Sequence, residues 1–315
     1  MDKLIISYDI GYNNWYVSEF YKFFHQALLE TSMVKFEYVP LKDLAIRYGK
    51  ELSNHTSSVF NWYNLIILNP KTEKFFIHSW YDYATEIPEF ALSNNINLVK
   101  FSCVSNLTEE IIEKYKGRIK IQPSVYYLEN WSDLSLIEKF KDIKLKKNKS
   151  YFNGLIYGYR ENIKNTLSKI DFFNIKNKTN PNDYQNKTDY YKELSSYKFG
   201  LSLNGAANIC YRDLELFGLG VLNLRQPLKS KTFNPLIKDI HYIEFLDNDL
   251  FDKIIKNENV NQIINEKINQ LLEFQSTNEY SEMITESKKW FLENINPRNQ
   301  FNILKSFLDD YTILI

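Results

Sequence analysis

Apolar residues along the chain alternate between two periods, one of strand type and one of helix type. Leu4–Tyr8 is a short continuous apolar run of strand length. After it, Tyr16, Phe20, Phe23, Phe24, Ala27 and Leu28 recur at helical spacing and predict an amphipathic helix over Trp15–Leu29. Phe36–Val39 reads as a strand stopped by Pro40, and Leu41–Leu52 as a helix. Leu65–Leu68, Phe75–Ile77, Leu98–Phe101 and Ile119–Ile121 are further strands, with Leu107–Lys116 the clearest helix between them. Strands alternating with helices predict an α/β protein whose sheet is mainly parallel.

A polar, lysine-rich run at residues 141–150 interrupts this pattern and marks an expected boundary; Lys144–Lys149 reads as a solvated linker. The alternation then restarts with strand Tyr151–Asn153, helix Glu161–Lys169 and strand Phe172–Ile175. Residues 176–188 form a polar loop expected to be mobile, followed by helix Asp189–Ser196. Long helical patterns close the chain, from Val260 to Leu272, then to Trp290 and Phe291, with Pro297 opening a last helix. The expected units are residues 1–145, residues 146–290 and a C-terminal helix over 291–315.

The stretch Tyr197–Phe245 carries the candidate chemistry. Phe199, Leu201 and Leu203 alternate as in a strand, Gly205-Ala206-Ala207 forms a small-residue loop, and Asn208 is placed to cap the helix that follows. Val221–Leu224 and His241–Phe245 read as two more strands. A helix start after a small-residue loop offers free N–H groups and a positive dipole end to an anion. Arg212 and Glu215 stand three apart and share one helix face. A guanidinium pairs with a diphosphate and a carboxylate accepts ribose hydroxyls. The plainer alternatives are a tight turn and a surface Arg–Glu pair. Asn153 and Gly154 fall at a predicted strand end, where α/β crevices take ligands.

The runs Lys198-Phe-Gly-Leu-Ser-Leu-Asn-Gly205, Arg212-Asp-Leu-Glu215 and Gly220-Val-Leu, with Tyr151-Phe-Asn153-Gly154 and Gly158-Tyr-Arg160 upstream, resemble the donor-binding half of GT-B glycosyltransferases. The resemblance is nearest to the exostosin-like and protein O-glucosyltransferase-like groups and covers roughly residues 148–246. It departs from their pattern at Cys210-Tyr211, where a Ser usually precedes the Arg, and at Asn223, where retaining members carry a second Glu. The resemblance implies two Rossmann-like domains facing a cleft, the GT-B architecture, with C-terminal helices that cross back to the first domain. It implies sugar transfer from a nucleotide-sugar donor, UDP- or GDP-linked by first choice, to a glycan, lipid-linked or protein acceptor. Inversion and metal independence follow from the missing Glu and from the GT-B habit of stabilising the leaving diphosphate with cationic side chains. On this reading Asn153, Gly154, Arg160, Gly205, Asn208, Arg212, Glu215, His241 and Tyr242 face the donor. His241 and Tyr242 are equally well read as packed residues. The base would come from the first domain, with Asp82 ahead of Asp9 and His78 third; a cap or turn is the plainer reading of each aspartate. An epimerase on the same fold and a non-catalytic nucleotide- or carbohydrate-binding partner protein stay open as alternatives.

Composition narrows the classes further. The 315 residues hold 44% hydrophobic and 25% charged residues, an ordinary globular balance. Lys plus Arg and Asp plus Glu are 39 each, so global charge draws the chain neither to nucleic acid nor to a membrane surface. Tyr, at 23, and Phe, at 22, are abundant along with Asn, Lys and Ile, a bias of AT-rich coding that discounts aromatics as a carbohydrate signal. Two cysteines in separate halves predict a reducing compartment, and the polar start and lack of a long apolar run predict a cytoplasmic protein without a transmembrane segment. No Cys/His cluster has metal-site spacing. Asp247-Asn-Asp249 has the spacing of a metal-binding pair but reads as a helix cap.

Overall fold

A computed structural model describes residues 3–10, 15–31, 35–81, 84–103, 107–123, 132–144, 146–178, 186–205, 208–295 and 299. The first half runs β1 (Leu4–Ser7), α1 (Trp15–Thr31), β2 (Phe36–Tyr38), α2 (Leu41–Arg47), β3 (Asn64–Leu68), β4 (Phe75–Ser79), α3 (Ile87–Ser93), β5 (Leu98–Cys103), α4 (Glu109–Lys114), β6 (Lys120–Pro123) and α5 (Ser132–Phe140). Its six strands form one sheet in the order β2-β1-β3-β4-β5-β6. Among the described residues three of its five strand pairings are parallel, in keeping with a mainly parallel sheet, and strand β3 runs antiparallel to both neighbours. The reason is local: only residues 69–74 join β3 to β4, too few for the crossover a parallel pair needs. Asn69 Oδ1 accepts the Lys71 N–H at 2.9 Å and tightens that hairpin. Strand periodicity splits β3 between two cores. Leu65 and Ile67 pack with α1, whereas Ile66 and Leu68 pack on the opposite face.

The second half runs β7 (Lys147–Leu155), α6 (Arg160–Leu167), β8 (Phe173–Lys178), α7 (Lys187–Ser195), β9 (Tyr197–Ser202), α8 (Tyr211–Leu219) and β10 (Leu222–Arg225). Its four-stranded sheet is parallel throughout, in the order β10-β9-β7-β8. Helices α9 (Asn248–Ile255), α10 (Asn261–Phe274) and α11 (Asn278–Ile295) follow. Tyr151, Tyr197, Phe217, Trp290 and Phe291 fill one face of the sheet; Phe152, Phe199, Leu201, Leu224 and Ile264 fill the other. The chain leaves β7 to form β8 on one side and returns to form β9 on the other. That reversal opens a crevice at the carboxyl ends of β7 and β9.

Several boundaries differ from the sequence reading. The run Lys144–Lys149 is not linker throughout, because β7 begins at Lys147 and Lys146 Nζ donates to Gly220 O at 2.6 Å, at the C-terminal end of α8. Burial lowers the Lys146 pKa to about 8. His241–Phe245 is not a strand; it touches β10 through the single Leu224–Ile243 bridge. Asp247 does cap α9, accepting the Leu250 N–H at 2.9 Å. The polar loop expected over 176–188 is shorter, since β8 reaches Lys178 and α7 starts at Lys187. Residues 179–185 and the helix expected from Pro297 lie outside the described residues.

Candidate functional site

The crevice is built on the start of α8. Cys210, in extended conformation, precedes the helix, and its backbone N–H donates to Asp213 Oδ2 at 2.8 Å. Cys210 therefore takes the capping position expected of Asn208. Asn208 instead ties two loops together: its Oδ1 accepts the N–H groups of Lys229 and Ser230, at 2.6 and 2.9 Å. Asp213 is buried and also accepts from Asn223 Nδ2 at 2.8 Å and Arg225 Nη1 at 3.0 Å. This knot fixes the first turn of α8 against β10.

Arg212 projects from that turn across the crevice. Its Nη2 donates to the carbonyl of Asn153 at the end of β7. The guanidinium lies 4.8 Å from the Phe152 ring centre and 5.7 Å from that of Tyr190, a sandwich of two aromatic faces. Gly154 allows this approach, since a Cβ there would stand 3.1 Å from Phe152 Cζ and 3.4 Å from Arg212 Nη2. The remaining donors, Nε and Nη1, are buried without an acceptor. A buried donor left unmatched costs about 1–3 kcal/mol, and Arg212 carries two such nitrogens. Burial works against the guanidinium's charge, but the tyrosines and Glu215 around it outweigh burial and raise its pKa.

Glu215 is half-buried rather than on the open surface. Its carboxylate accepts from Tyr190 Oη at 2.6 Å and Tyr191 Oη at 3.2 Å. Burial raises its pKa, opposed by Arg212 and the Tyr190 hydrogen bond. Tyr190 thus stacks on Arg212 and donates to Glu215, holding the two expected donor residues in one unit.

Arg160, expected to face the donor, is buried and hydrogen-bonded to the backbone. Its Nε, Nη1 and Nη2 donate to Asn204 O at 3.0 Å, Leu155 O at 2.9 Å and Leu203 O at 2.8 Å. It cross-braces the two strand ends that wall the crevice, and Gly205 follows the Asn204 carbonyl it holds. His241 is buried, its Nδ1 accepts the Ile237 N–H at 2.8 Å, and burial lowers its pKa. Tyr242 is buried beneath the Arg225 guanidinium, 5.3 Å from its ring centre. Both are packed against neighbouring side chains, the second of the two readings open to them in sequence.

Of the base candidates, His78 lies in the core among Phe20, Tyr21 and Phe24. Its Nδ1 sits 3.2 Å from Ser102 Oγ, and burial lowers its pKa to about 3. The imidazole is enclosed in the core, 1% exposed, which sets it back from any surface crevice. Asp9 is half-buried just beyond β1, and its carbonyl accepts from Ser18 Oγ at 3.0 Å. Asp82 lies outside the described residues. Tyr211, beside Arg212, packs on the aromatic cluster containing Tyr8 and Trp80, so the crevice faces the first half of the chain.

Sequence reasoning missed Tyr190, Asp213 and Arg225. Tyr190 is one of 23 tyrosines with nothing local to mark it, and nothing local distinguishes a strand-end arginine that is fully buried from one in solvent. Among the described residues no group of three or more His, Cys, Asp or Glu side chains is placed to hold a metal ion, and no helix is long and apolar enough to cross a membrane.

No family model matches the chain, and no curated protein matches it in sequence. Solved structures do. An α1,3-fucosyltransferase is 12% identical over 99% of this chain and 90% of its own, with a TM-score of 0.48. A glycosyltransferase from Rickettsia africae is 8% identical over 99% and 97%, with a TM-score of 0.44. The pneumococcal O-GlcNAc transferase GtfA, solved with UDP and GlcNAc, is 14% identical over 74% of this chain, with a TM-score of 0.41. This chain spans 48% of the GtfA chain. None of these is an exostosin-like or O-glucosyltransferase-like protein by its description.

Proposed function

We propose that this protein is a glycosyltransferase that holds a nucleotide-sugar donor in the crevice between β7 and β9 and passes the sugar to a hydroxyl acceptor. The observation that carries the reading is Arg212, whose buried Nε and Nη1 have no acceptor while its ring sandwich and the Asn153 carbonyl fix its direction. A diphosphate supplies acceptor oxygens and the negative charge that develops as the sugar leaves. The N-terminal end of α8 adds its dipole to the same point. UDP- and GDP-sugars are the first donors to test, and a glycan, lipid-linked or protein hydroxyl the acceptor. Cationic stabilisation of the leaving group makes the transfer metal-independent, and a base from the first half of the chain makes it inverting. We assign that base to Asp82 or Asp9.

A thermal-shift panel of UDP, GDP, CMP, dTDP and ADP tests the reading. A ligand at a hundredfold excess over its Kd stabilises the native state by about 2.7 kcal/mol. A selective rise with one nucleoside diphosphate supports the donor site and names the base; no rise with any of them contradicts it. Conversion of the donor without an acceptor would identify an epimerase instead.

A further inference from the structure

A second cavity, of about 580 Å³, lies between α10, α11 and the segment Asp239–Phe245. Its lining residues do not include Arg212, Glu215 or Asn153. Gly220, at the amino end of β10, faces Lys288 and Ile284 of α11, whereas Arg212 stands at the carboxyl ends of the strands. Its walls have a regular pattern. Lys267, Gln270, Leu271 and Phe274 line it from α10; Glu279, Glu282, Met283 and Glu286 line it from α11. Both sets follow the i, i+3, i+4, i+7 spacing by which one helix presents a face to another helix. Each spans two turns, about 10.5 Å along its axis.

The floor is apolar and continues outward over Ile240 and Ile237, which are 41% and 48% exposed. The rim is acidic: Asp239, Glu244, Glu279, Glu282 and Glu286 stand against Lys267, whose ammonium is bound to Asp247 at 2.7 Å. Lys238 and Lys289 reach Glu244 and Glu286, at 3.3 and 3.8 Å, and leave Asp239, Glu279 and Glu282 to set the local field. We infer that this groove docks an amphipathic helix of a partner protein, with apolar residues on its inward face and lysines or arginines along its flanks. Matched stripes on two adjoining helices select a helical occupant. The carboxylates select a basic one by charge complementarity and disfavour an acidic one.

The test is fluorescence polarisation with a labelled peptide of leucine and lysine, its leucines at i, i+3, i+4 and i+7. A scrambled peptide of the same composition and a peptide with glutamate in place of lysine serve as controls. The inference requires saturable binding of the first peptide alone, weakened as salt shortens the screening length from about 10 Å at 0.1 M to about 3 Å at 1 M. Glu282→Lys/Glu286→Lys should weaken it at least about tenfold, and Ile240→Asp, at an exposed position, should weaken it with the fold intact. Absence of binding, equal binding of the scrambled peptide, or unchanged affinity in both variants overturns the inference. A dimer seen by light scattering and abolished by the same substitutions would also overturn it, by giving the groove to a second copy of this chain.

Discussion

Gly200 sits in the middle of β9 beneath α8, the helix that carries Arg212. A Cβ there would stand 2.1 Å from Leu216 Cδ2, 2.9 Å from Cδ1 and 3.1 Å from Cγ. Leu216 is fully buried, so no exposed side-chain tip can swing away. In Gly200→Ala either the leucine leaves its rotamer or α8 lifts from the sheet. Overpacking of this kind costs about 1–3 kcal/mol, and the lost freedom of glycine in the unfolded chain returns about 0.4–1 kcal/mol. The expected net loss is about 1–2 kcal/mol. Leu216→Ala alone leaves a cavity and costs about 2–5 kcal/mol. With both changes the new methyl occupies part of the space vacated by the leucine. The double variant should therefore be more stable than the sum of the single losses by about 1–2 kcal/mol. Urea unfolding followed by circular dichroism, read as midpoints at constant m, measures all four corners of the cycle. Additivity to within about 0.5 kcal/mol would refute the contact and with it the seating of α8.

Three further outcomes are expected. His78 is held neutral in the core with its pKa lowered to about 3, below the usual 6.5. Its contribution is present above pH 6.5 and lost as pH falls toward 3. Stability should drop by up to about 5 kcal/mol across that window, and His78→Gln should flatten the acid limb; parallel pH slopes in the two proteins would contradict this. Asp213→Ala strands the buried Arg225 charge, now 3.0 Å from Asp213, and should cost about 3–5 kcal/mol in urea unfolding. Lastly, the acidic groove between α10 and α11 should bind the basic amphipathic peptide in polarisation assays and lose it on charge reversal.

The second half of the chain was largely legible because its strands and helices each keep one period. Phe199, Leu201 and Leu203 alternate, and the small residues after them lead to a helix that does start near Arg212. The first sheet was harder. Strand β3 is buried on both faces and reads as a plain apolar run, which carries no sign of its direction; only the short Asn69–Lys74 link betrays the hairpin. His241 and Tyr242 show a different limit. Their chemistry suits a ligand site, but the turn that holds them also seats them against Trp290 and Arg225, and no residue pattern within the segment reports those distant partners. The same holds for Arg160. An arginine at a helix start after a strand signals an anion site in sequence, yet three backbone carbonyls from two strand ends claim its donors here.

Arg212→Met separates a ligand-binding arginine from a structural one. Methionine retains apolar contact with Phe152 and Tyr190 and removes two buried donors that lack acceptors. That gain offsets the loss of positive charge beside Glu215, so stability in urea should change by no more than about 1 kcal/mol. Isothermal titration with UDP and GDP should show measurable affinity in the wild-type protein and a loss of at least about tenfold in Arg212→Met, the scale of a lost charge-assisted pair. Unchanged nucleotide affinity in a folded variant, or no affinity in the wild type, would contradict the donor site.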